Sequence, residues 1–317
     1  MKILITGVHG FVGSNLVSYL AKENEIYGLD IISPEKYGVV KTYSWDDLDS
    51  GKVPEMDAII HLAGKAHDTK NQTVADVYFK VNRDLTIKIF DYYCTHPSIK
   101  KFVFFSTAKA AADKVDGVLT EDVIPSPVGP YGESKIAAER YILDSVQGSR
   151  FKVHGDKQWY IFRPCMIHGP GNKGNLNLLY NVVKKGIPWP LGAFENRRTF
   201  TSIENICFAV NGVLTKDVPS GIYNMGDDEA LSTNELIEEV CKSLGIKAHI
   251  WKLPKGLMKG IAKIGDALHL PLNSERLRKL TENYISSNDK IKKALGIEMM
   301  PIDARKGLKR TLQSFAN

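Results

Sequence analysis

Short apolar runs alternate with stretches of helical spacing through the first half of the chain. Lys2–Thr6, Glu25–Asp30, Asp57–Ala63, Lys101–Ser106 and Trp159–Arg163 are the kind of run that a strand covered on both faces requires. Between them, Phe11–Ala21, Val74–Tyr93 and Ser134–Ser145 carry apolar residues every three or four positions, as helices do. Such βαβ alternation predicts an α/β fold: a doubly wound parallel sheet with helices on both faces.

The texture changes after Pro164. Glycine and proline crowd His168–Gly171 and Gly186–Pro190, and helical spacing returns over Asn234–Leu244 and from Leu257 to the end. The pattern predicts a sheet domain over residues 1–166, joined by later contributions from about 197–225. Residues 167–317 then form a smaller, mostly helical substrate lobe over the carboxyl edge of the sheet, where open α/β sheets take ligands.

With 317 residues, the chain has ample material for a core. No run approaches the ~20 apolar residues of a membrane helix. The apolar run at the N-terminus is too short for a signal peptide, so a cytoplasmic protein is expected. Cys94, Cys165, Cys207 and Cys241 lie far apart without metal-ligand spacing, which predicts reduced thiols and no metal. The net charge of +6 suits an anionic ligand. Lysines near the C-terminus read as solvated helix faces, and no basic stretch is interleaved with aromatics. Neither nucleic acid nor membrane is an expected partner.

Gly7-Val8-His9-Gly10-Phe11-Val12-Gly13 sits where a strand turns into a helix. Gly7 permits the tight turn. Gly10, followed by Phe11 and Val12, opens a helix whose N–H groups can face a pyrophosphate, and Gly13 lets that helix pack close to the strand. Asp30, at the end of the second strand, suits the adenosine ribose hydroxyls and repels a 2′-phosphate, which favours NAD over NADP. After His61, the small Leu62-Ala63-Gly64 segment leaves room for a cofactor across the strand edge. These features predict a Rossmann-type dinucleotide site.

Pro130-Tyr131-Gly132-Glu133-Ser134-Lys135 contains Tyr-x-x-x-Lys, which places both side chains on one helix face. An ammonium beside a phenol favours the phenolate and brings it toward the range of a general base. Ser106-Thr107 closes the preceding strand and offers a hydroxyl to the reacting oxygen. Arg198 ends a glycine- and proline-rich loop with a guanidinium fork suited to phosphate. Arg276 and Arg278 are second candidates. Cys165 and His168 could be read as an acid–base pair, but their turn-rich setting favours packing.

The segments ITGVHGFVGSNL, DAIIHLAG, VFFSTA, PYGESKIAAE, FRPCMIHGPG, RRTFTSIENI and YNMGDDEALSTNEL resemble the extended short-chain dehydrogenase/reductase family, along nearly the whole chain. That family comprises nucleotide-sugar epimerases, dehydratases and reductases. The resemblance implies Tyr131 as the proton-transfer residue, Lys135 as its partner and Thr107 as the polarising hydroxyl. It further implies Asn82 as a conformational or water-relay residue, Pro164 beside the nicotinamide, and Ser106 among the cofactor contacts. Arg198 would hold the substrate pyrophosphate, with Asn175, Lys109 and Arg276 on the substrate side. A UDP-sugar substrate and a homodimer through paired helices are also implied.

One departure bears on the reaction. The 4,6-dehydratases of the family carry Asp-Glu directly after the threonine, where this chain has Ala108 and Lys109. An alanine has no proton to give a departing hydroxyl, so dehydration is not expected. Two reactions at C4 remain: epimerisation through a 4-keto sugar on bound NAD, or NAD(P)H-dependent reduction of a 4-keto-6-deoxy sugar. The Lys173-Gly174-Asn175 segment and Lys109 resemble the reductase branch, while Asp30 suits the epimerase, which is the first expectation. A reading of another class is a non-catalytic NAD-binding regulator. The presence of Tyr131, Lys135, Thr107 and Arg198 weighs against it.

Overall fold

The computed structural model describes residues 1–66, 74–148, 156–172, 174–268, 270 and 272–316, apart from the side chains of 175 and 316. Its strands are β1 (Lys2–Thr6), β2 (Glu25–Leu29), β3 (Lys41–Tyr43), β4 (Ala58–His61), β5 (Lys101–Phe105), β6 (Val118–Leu119), β7 (Gln158–Pro164), β8 (Met166–His168), β9 (Phe200–Ser202), β10 (Gly221–Met225) and β11 (Ile285–Ser286). In chain order the helices begin with α1 (Phe11–Leu20), α2 (Trp45–Asp49), α3 (Ala75–Tyr78), a π-helical turn at Phe79–Asp84, α4 (Leu85–Thr95), α5 (Ala108–Ala111) and α6 (Pro130–Gln147). They continue with α7 (Asn175–Lys184), α8 (Ile203–Thr215), α9 (Thr233–Leu244), α10 (Lys255–Leu268), α11 (Ser274–Thr281), α12 (Asp289–Leu295) and α13 (Ala304–Ala316).

Seven strands form one sheet in the order β10-β7-β5-β4-β1-β2-β3, and every pairing is parallel. The predicted doubly wound sheet is therefore present. The alternation along each strand shows why. Ile3, Ile5, Val103, Phe105, Tyr160 and Phe162 join a core with Leu16 and Val17 of α1 and Ile206 and Val210 of α8. Leu4, Ile59, Phe102, Phe104 and Ile161 point the other way, to Ile89, Phe90 and Tyr93 of α4 and Ala138 and Ile142 of α6. Both faces are apolar, so both must be covered. A third cluster lies outside the sheet, where Leu176 and Tyr180 of α7 meet Leu236, Ile237 and Val240 of α9 and Leu308 and Leu312 of α13.

Parallel strands bring all their carboxyl ends to one edge. The turns after β1, β2, β4, β5 and β7 thus gather Gly7–Gly13, Asp30, Leu62–Gly64, Ser106–Thr107 and Pro164 along that edge. Two of the seven strands, β3 and β10, lie beyond the runs that the apolar pattern predicts. β10 comes from the end of the segment predicted to return to the sheet domain. The four cysteines are unpaired, as predicted. Among the described residues, no helix is long and apolar enough to cross a membrane.

Phe102 is fully buried and meets the Phe90 ring edge-on at 5.1 Å and the Tyr93 ring at 5.3 Å. Phe102→Ala should lower the free energy of unfolding by roughly 3–5 kcal/mol in urea titration. A loss below about 1 kcal/mol would contradict this packing.

Candidate active site

The first turn of the sheet edge is set by a close approach. A Cβ on Gly13 would lie 2.5 Å from the Gly7 carbonyl oxygen and 2.9 Å from Val8 backbone atoms, so α1 can sit this near β1 only with glycine there. The N-terminus of α1 has no side-chain cap and no acidic residue in its first turn. Its N–H groups and the positive end of its dipole are left for an anion. Asp30 stands beside this turn, accepting hydrogen bonds from the backbone N–H of His9 at 3.1 Å and of Ile31 at 2.7 Å. Phe11 reaches across to Gly169 and Gly171, and Asn15 donates to the Pro170 carbonyl at 3.2 Å, so the segment after β8 packs against the same turn. The donor set and the glycine cradle fit a dinucleotide pyrophosphate.

A buried hydrogen-bond chain ties this turn to the helices behind it. The backbone N–H groups of Leu62 and Ala63 both donate to Thr6 Oγ1, at 3.1 and 2.9 Å. With its oxygen thus occupied, Thr6 gives its proton to His61 Nδ1 at 2.7 Å. His61 Nε2 then donates to Thr86 Oγ1 at 3.0 Å, and Thr86 donates to the Asn82 carbonyl at 2.7 Å. Burial and the nearby Lys135 charge hold the imidazole well below its usual range, in agreement with this neutral tautomer. His61 is thus a structural relay at the strand end.

Asn82, wholly buried in the π-helical turn, pins the next segment with its side chain. Its Oδ1 accepts from Lys65 N–H at 2.8 Å, while Nδ2 donates to the Lys65 carbonyl at 3.0 Å and to Ser134 Oγ at 3.0 Å. Ser134 Oγ in turn donates to the Tyr131 carbonyl at 2.9 Å. The same amide therefore fixes the Gly64–Lys65 loop and the first turn of α6. A Cβ on Gly64 would lie 3.0 Å from Asn82 Oδ1 and 3.1 Å from Lys135 Nζ, so the predicted small segment does border the predicted lysine.

α6 carries Tyr131 and Lys135 one helical turn apart, with Tyr131 near Thr107. α6 approaches α5 so closely that a Cβ on Gly132 would lie 2.7 Å from the Lys109 carbonyl oxygen. This contact brings the Tyr131 phenol within reach of Thr107, whose hydroxyl favours the ionised phenol. Lys135 is buried and donates to the Phe105 carbonyl at 2.8 Å, with Nζ 4.9 Å from the Phe104 ring centroid. Burial pushes its ammonium down from 10.5 to about 8, against the opposing pull of Glu139. The expected acidic phenol is not found in the free chain. Burial raises the Tyr131 hydroxyl above its ordinary value, Thr107 opposes this, and Tyr78 adds to the rise. Lys135 directs its proton to Phe105, and shared burial disfavours both charged forms.

Ser106 turns the other way. Its hydroxyl donates to the buried Glu139, which also receives Arg163 Nε at 3.0 Å, so the hydroxyl proton is committed away from the site. Glu139 and Arg163 were not legible as a pair. They stand in α6 and β7, and only the four-residue step from Lys135 to Glu139 hints that Glu139 faces inward.

Of the residues expected to meet substrate, Lys109 bonds Asp113 Oδ1 at 2.8 Å and lies over the Tyr284 ring at 4.9 Å. Arg278 pairs with Asp113 at 3.2 Å and with Glu282 at 2.8 Å. Arg197 is exposed and ion-paired to Glu235 at 2.8 Å. Arg198 is different. Its guanidinium donates to the Lys279 carbonyl, makes no ion pair among the described residues, and acts electrostatically on Cys165 and Tyr284. Of the two, Arg198 is the one free to meet an anion. Arg276 is exposed on α11, with its backbone capped by Asn273 at 2.8 Å. Asn175 opens α7, its side chain outside the described set, and Lys173 lies outside the described residues. Pro164 ends β7.

Cys165 and His168 part company, as the packing expectation requires. Burial pushes the Cys165 thiol up to about 12. His168 Nδ1 meets Thr311 Oγ1 at 2.9 Å and Nε2 lies 3.5 Å from Asp227. Among the described residues, no cluster of metal ligands occurs.

The depressed lysine has a consequence for stability. Between about 8 and 10.5, the unfolded chain keeps a proton on Lys135 that the folded chain has released, so stability gained through this group rises with pH across that window. Urea titrations of the unmodified chain and Lys135→Met at about pH 7.5 and about pH 9.5 should show the difference shift in favour of the lysine at the higher pH. A difference that stays flat would contradict the burial of the charge.

Comparison with known proteins agrees with this geometry. The NAD dependent epimerase/dehydratase family matches residues 3–226. Among curated relatives, UDP-glucose 4-epimerase of Vibrio cholerae is 28% identical over 274 residues, covering 80% of this chain and 78% of its own. GDP-6-deoxy-D-mannose reductase of Pseudomonas aeruginosa is 26% identical over 254 residues, covering 75% and 78%. Among solved structures, UDP-glucuronic acid 4-epimerase from Bacillus cereus, in complex with NAD, superposes with a TM-score of 0.75 at 20% identity, covering 100% of this chain and 99% of its own. A sheet edge with an uncapped glycine turn, a tyrosine and a buried lysine one helical turn apart, and a family match over this span lead to one assignment: the chain belongs to the NAD dependent epimerase/dehydratase family.

Proposed function

We propose that this chain is an NAD-dependent 4-epimerase of a nucleotide sugar, with a UDP-sugar as its substrate. The observation that carries the reading is the convergence of Thr107 and Tyr131, one helical turn from Lys135 and on the same edge as the glycine turn. In this reading Gly7, Gly10, Phe11, Val12 and Gly13 hold the pyrophosphate of NAD, Asp30 its adenosine ribose, and Leu62–Gly64, Asn82, Ser106 and Pro164 border the nicotinamide half. Bound NAD would supply a reversible hydride acceptor whose cationic ring also favours the phenolate. Thr107 orients the C4 hydroxyl and Tyr131 accepts its proton. The 4-keto sugar then presents its opposite face, and Tyr131 returns the proton to the ketone oxygen, leaving no net redox change. Lys135 holds its charge near this oxygen through its bond to Phe105. Arg198 holds the substrate diphosphate, with Lys109, Asn175 and Arg276 around it, and the helical segment after residue 166 forms the substrate lobe.

One observation favours a second reading. Burial keeps Tyr131 protonated, which is the state needed to deliver a proton to the oxygen of a 4-keto-6-deoxy sugar. A reductase of such a sugar uses the same residues with NAD(P)H supplied from solution. Dehydration is disfavoured, since Ala108 has no proton to give a departing hydroxyl and Lys109 is committed to Asp113.

Epimerisation is tested by offering UDP-glucose and UDP-N-acetylglucosamine to the purified protein without added cofactor, after measuring the NAD released on denaturation. The C4 epimer is expected, and Tyr131→Phe should cut its formation by about a hundred- to ten-thousandfold. Consumption of NADH only with a 4-keto-6-deoxy sugar nucleotide would replace the epimerase by the reductase. An intact protein that turns over neither substrate, or a phenylalanine variant that turns over normally, removes the catalytic assignment.

A further inference from the structure

Two buried charges lie next to the site, and no step of the proposed reaction uses them. Glu139 of α6 and Arg163 of β7 pair through Arg163 Nε at 3.0 and 3.1 Å and through Nη2 at 2.5 Å. Ser106 donates to the same carboxylate. A buried ion pair is weak evidence for stability, because taking both charges out of water offsets their attraction. This pair is also incomplete as a hydrogen-bond unit. Arg163 Nη1 is buried and finds no acceptor among the described residues. Apolar side chains of like volume often serve such positions as well, so what the pair adds is a fixed charge.

That charge stands one helical turn from Lys135. Glu139 follows the lysine by four residues, and both are buried on the inward side of α6. The end of β5 grips both members. The Phe105 carbonyl takes the ammonium, and the hydroxyl of the next residue, Ser106, takes the carboxylate. Among the described residues, the titratable and charged groups around Lys135 come from four elements. Glu139 and Tyr131 share its helix, His61 faces it from β4, Arg163 holds Glu139 from β7, and Tyr78 of α3 acts on Tyr131. His61 is neutral in its hydrogen-bond chain. Glu139 is therefore the opposite charge that acts on the ammonium, and Arg163 sets how much of that charge is left over.

We propose that Glu139, held by Arg163 and Ser106, is a positioning residue whose carboxylate keeps the proton on Lys135 and thereby sets the alkaline limit of the reaction. The inference rests on the proposed roles of Tyr131 and Lys135 in proton transfer. Without the carboxylate, Lys135 releases its proton at lower pH, and the oxygen at Tyr131 loses its neighbouring cation sooner as pH rises.

The lysine is read directly by nuclear magnetic resonance of protein labelled at the lysine ε carbons, with Lys135 assigned from the signal missing in Lys135→Met. Glu139→Gln should lower the Lys135 titration midpoint by about one pH unit or more. Should that variant unfold, because it leaves Arg163 buried without its partner, Glu139→Gln with Arg163→Met removes both charges. The double variant should move the midpoint in the same direction by a smaller amount, since a repelling cation goes with the attracting anion. In the same variants the alkaline limb of the kcat profile should move down with the midpoint. A packing role alone would lower stability and leave both pH values in place. An unmoved midpoint in the folded variants overturns the proposal. So does a midpoint that moves while the alkaline limb of an active enzyme stays fixed. Absence of turnover in the native chain removes the proposed function instead, and the midpoint still decides whether Glu139 governs Lys135.

Discussion

The buried chain from Thr6 through His61 and Thr86 to Asn82 runs in one direction only. Each hydroxyl oxygen accepts before it donates, so the imidazole at the centre must be neutral with its proton on Nε2. A second ring proton would meet a Thr6 oxygen already occupied by two backbone N–H groups. This polarity fixes where the Leu62–Lys65 segment leaves the sheet. Asn82 carries the constraint onward, because one amide holds both Lys65 and Ser134. The turn that faces the cofactor edge and the helix that carries Tyr131 are thereby parts of one rigid assembly.

Within that assembly, acid–base character is set more by shared burial than by proximity. Loss of water is the largest cause of both shifts, raising Tyr131 and lowering Lys135. An isolated pair of this kind resists charge separation. Proton transfer in such a site needs an incoming charge or dipole to tip the balance. Glu139 beneath Lys135, neutralised by Arg163, keeps a counter-charge close without becoming accessible itself.

Much of this was legible in the residues. Five of the seven strands are apolar runs because both sheet faces are covered, and Gly7–Gly13 and Tyr131–Lys135 are local patterns whose spacing has a geometric meaning. The edge strand β3, only Lys41-Thr42-Tyr43, has no apolar run to reveal it. β10, Gly221–Met225, lies in a segment whose glycine- and proline-rich surroundings obscure it. The commitments of Ser106 to Glu139 and of Lys109 to Asp113 depend on which way a side chain turns, and the letters alone do not specify that. Arg197 and Arg198 are neighbours in sequence and differ only in the company each keeps in the fold.

The open N-terminus of α1 has a further effect on the life of the molecule. Its N–H groups have neither a capping side chain nor an acidic neighbour, so any anion that seats there adds its binding free energy to folding. The persistence of the folded chain then follows ligand supply. Scarcity would leave a population that opens more often and is cleared sooner by proteases, so abundance itself would report on the availability of the ligand.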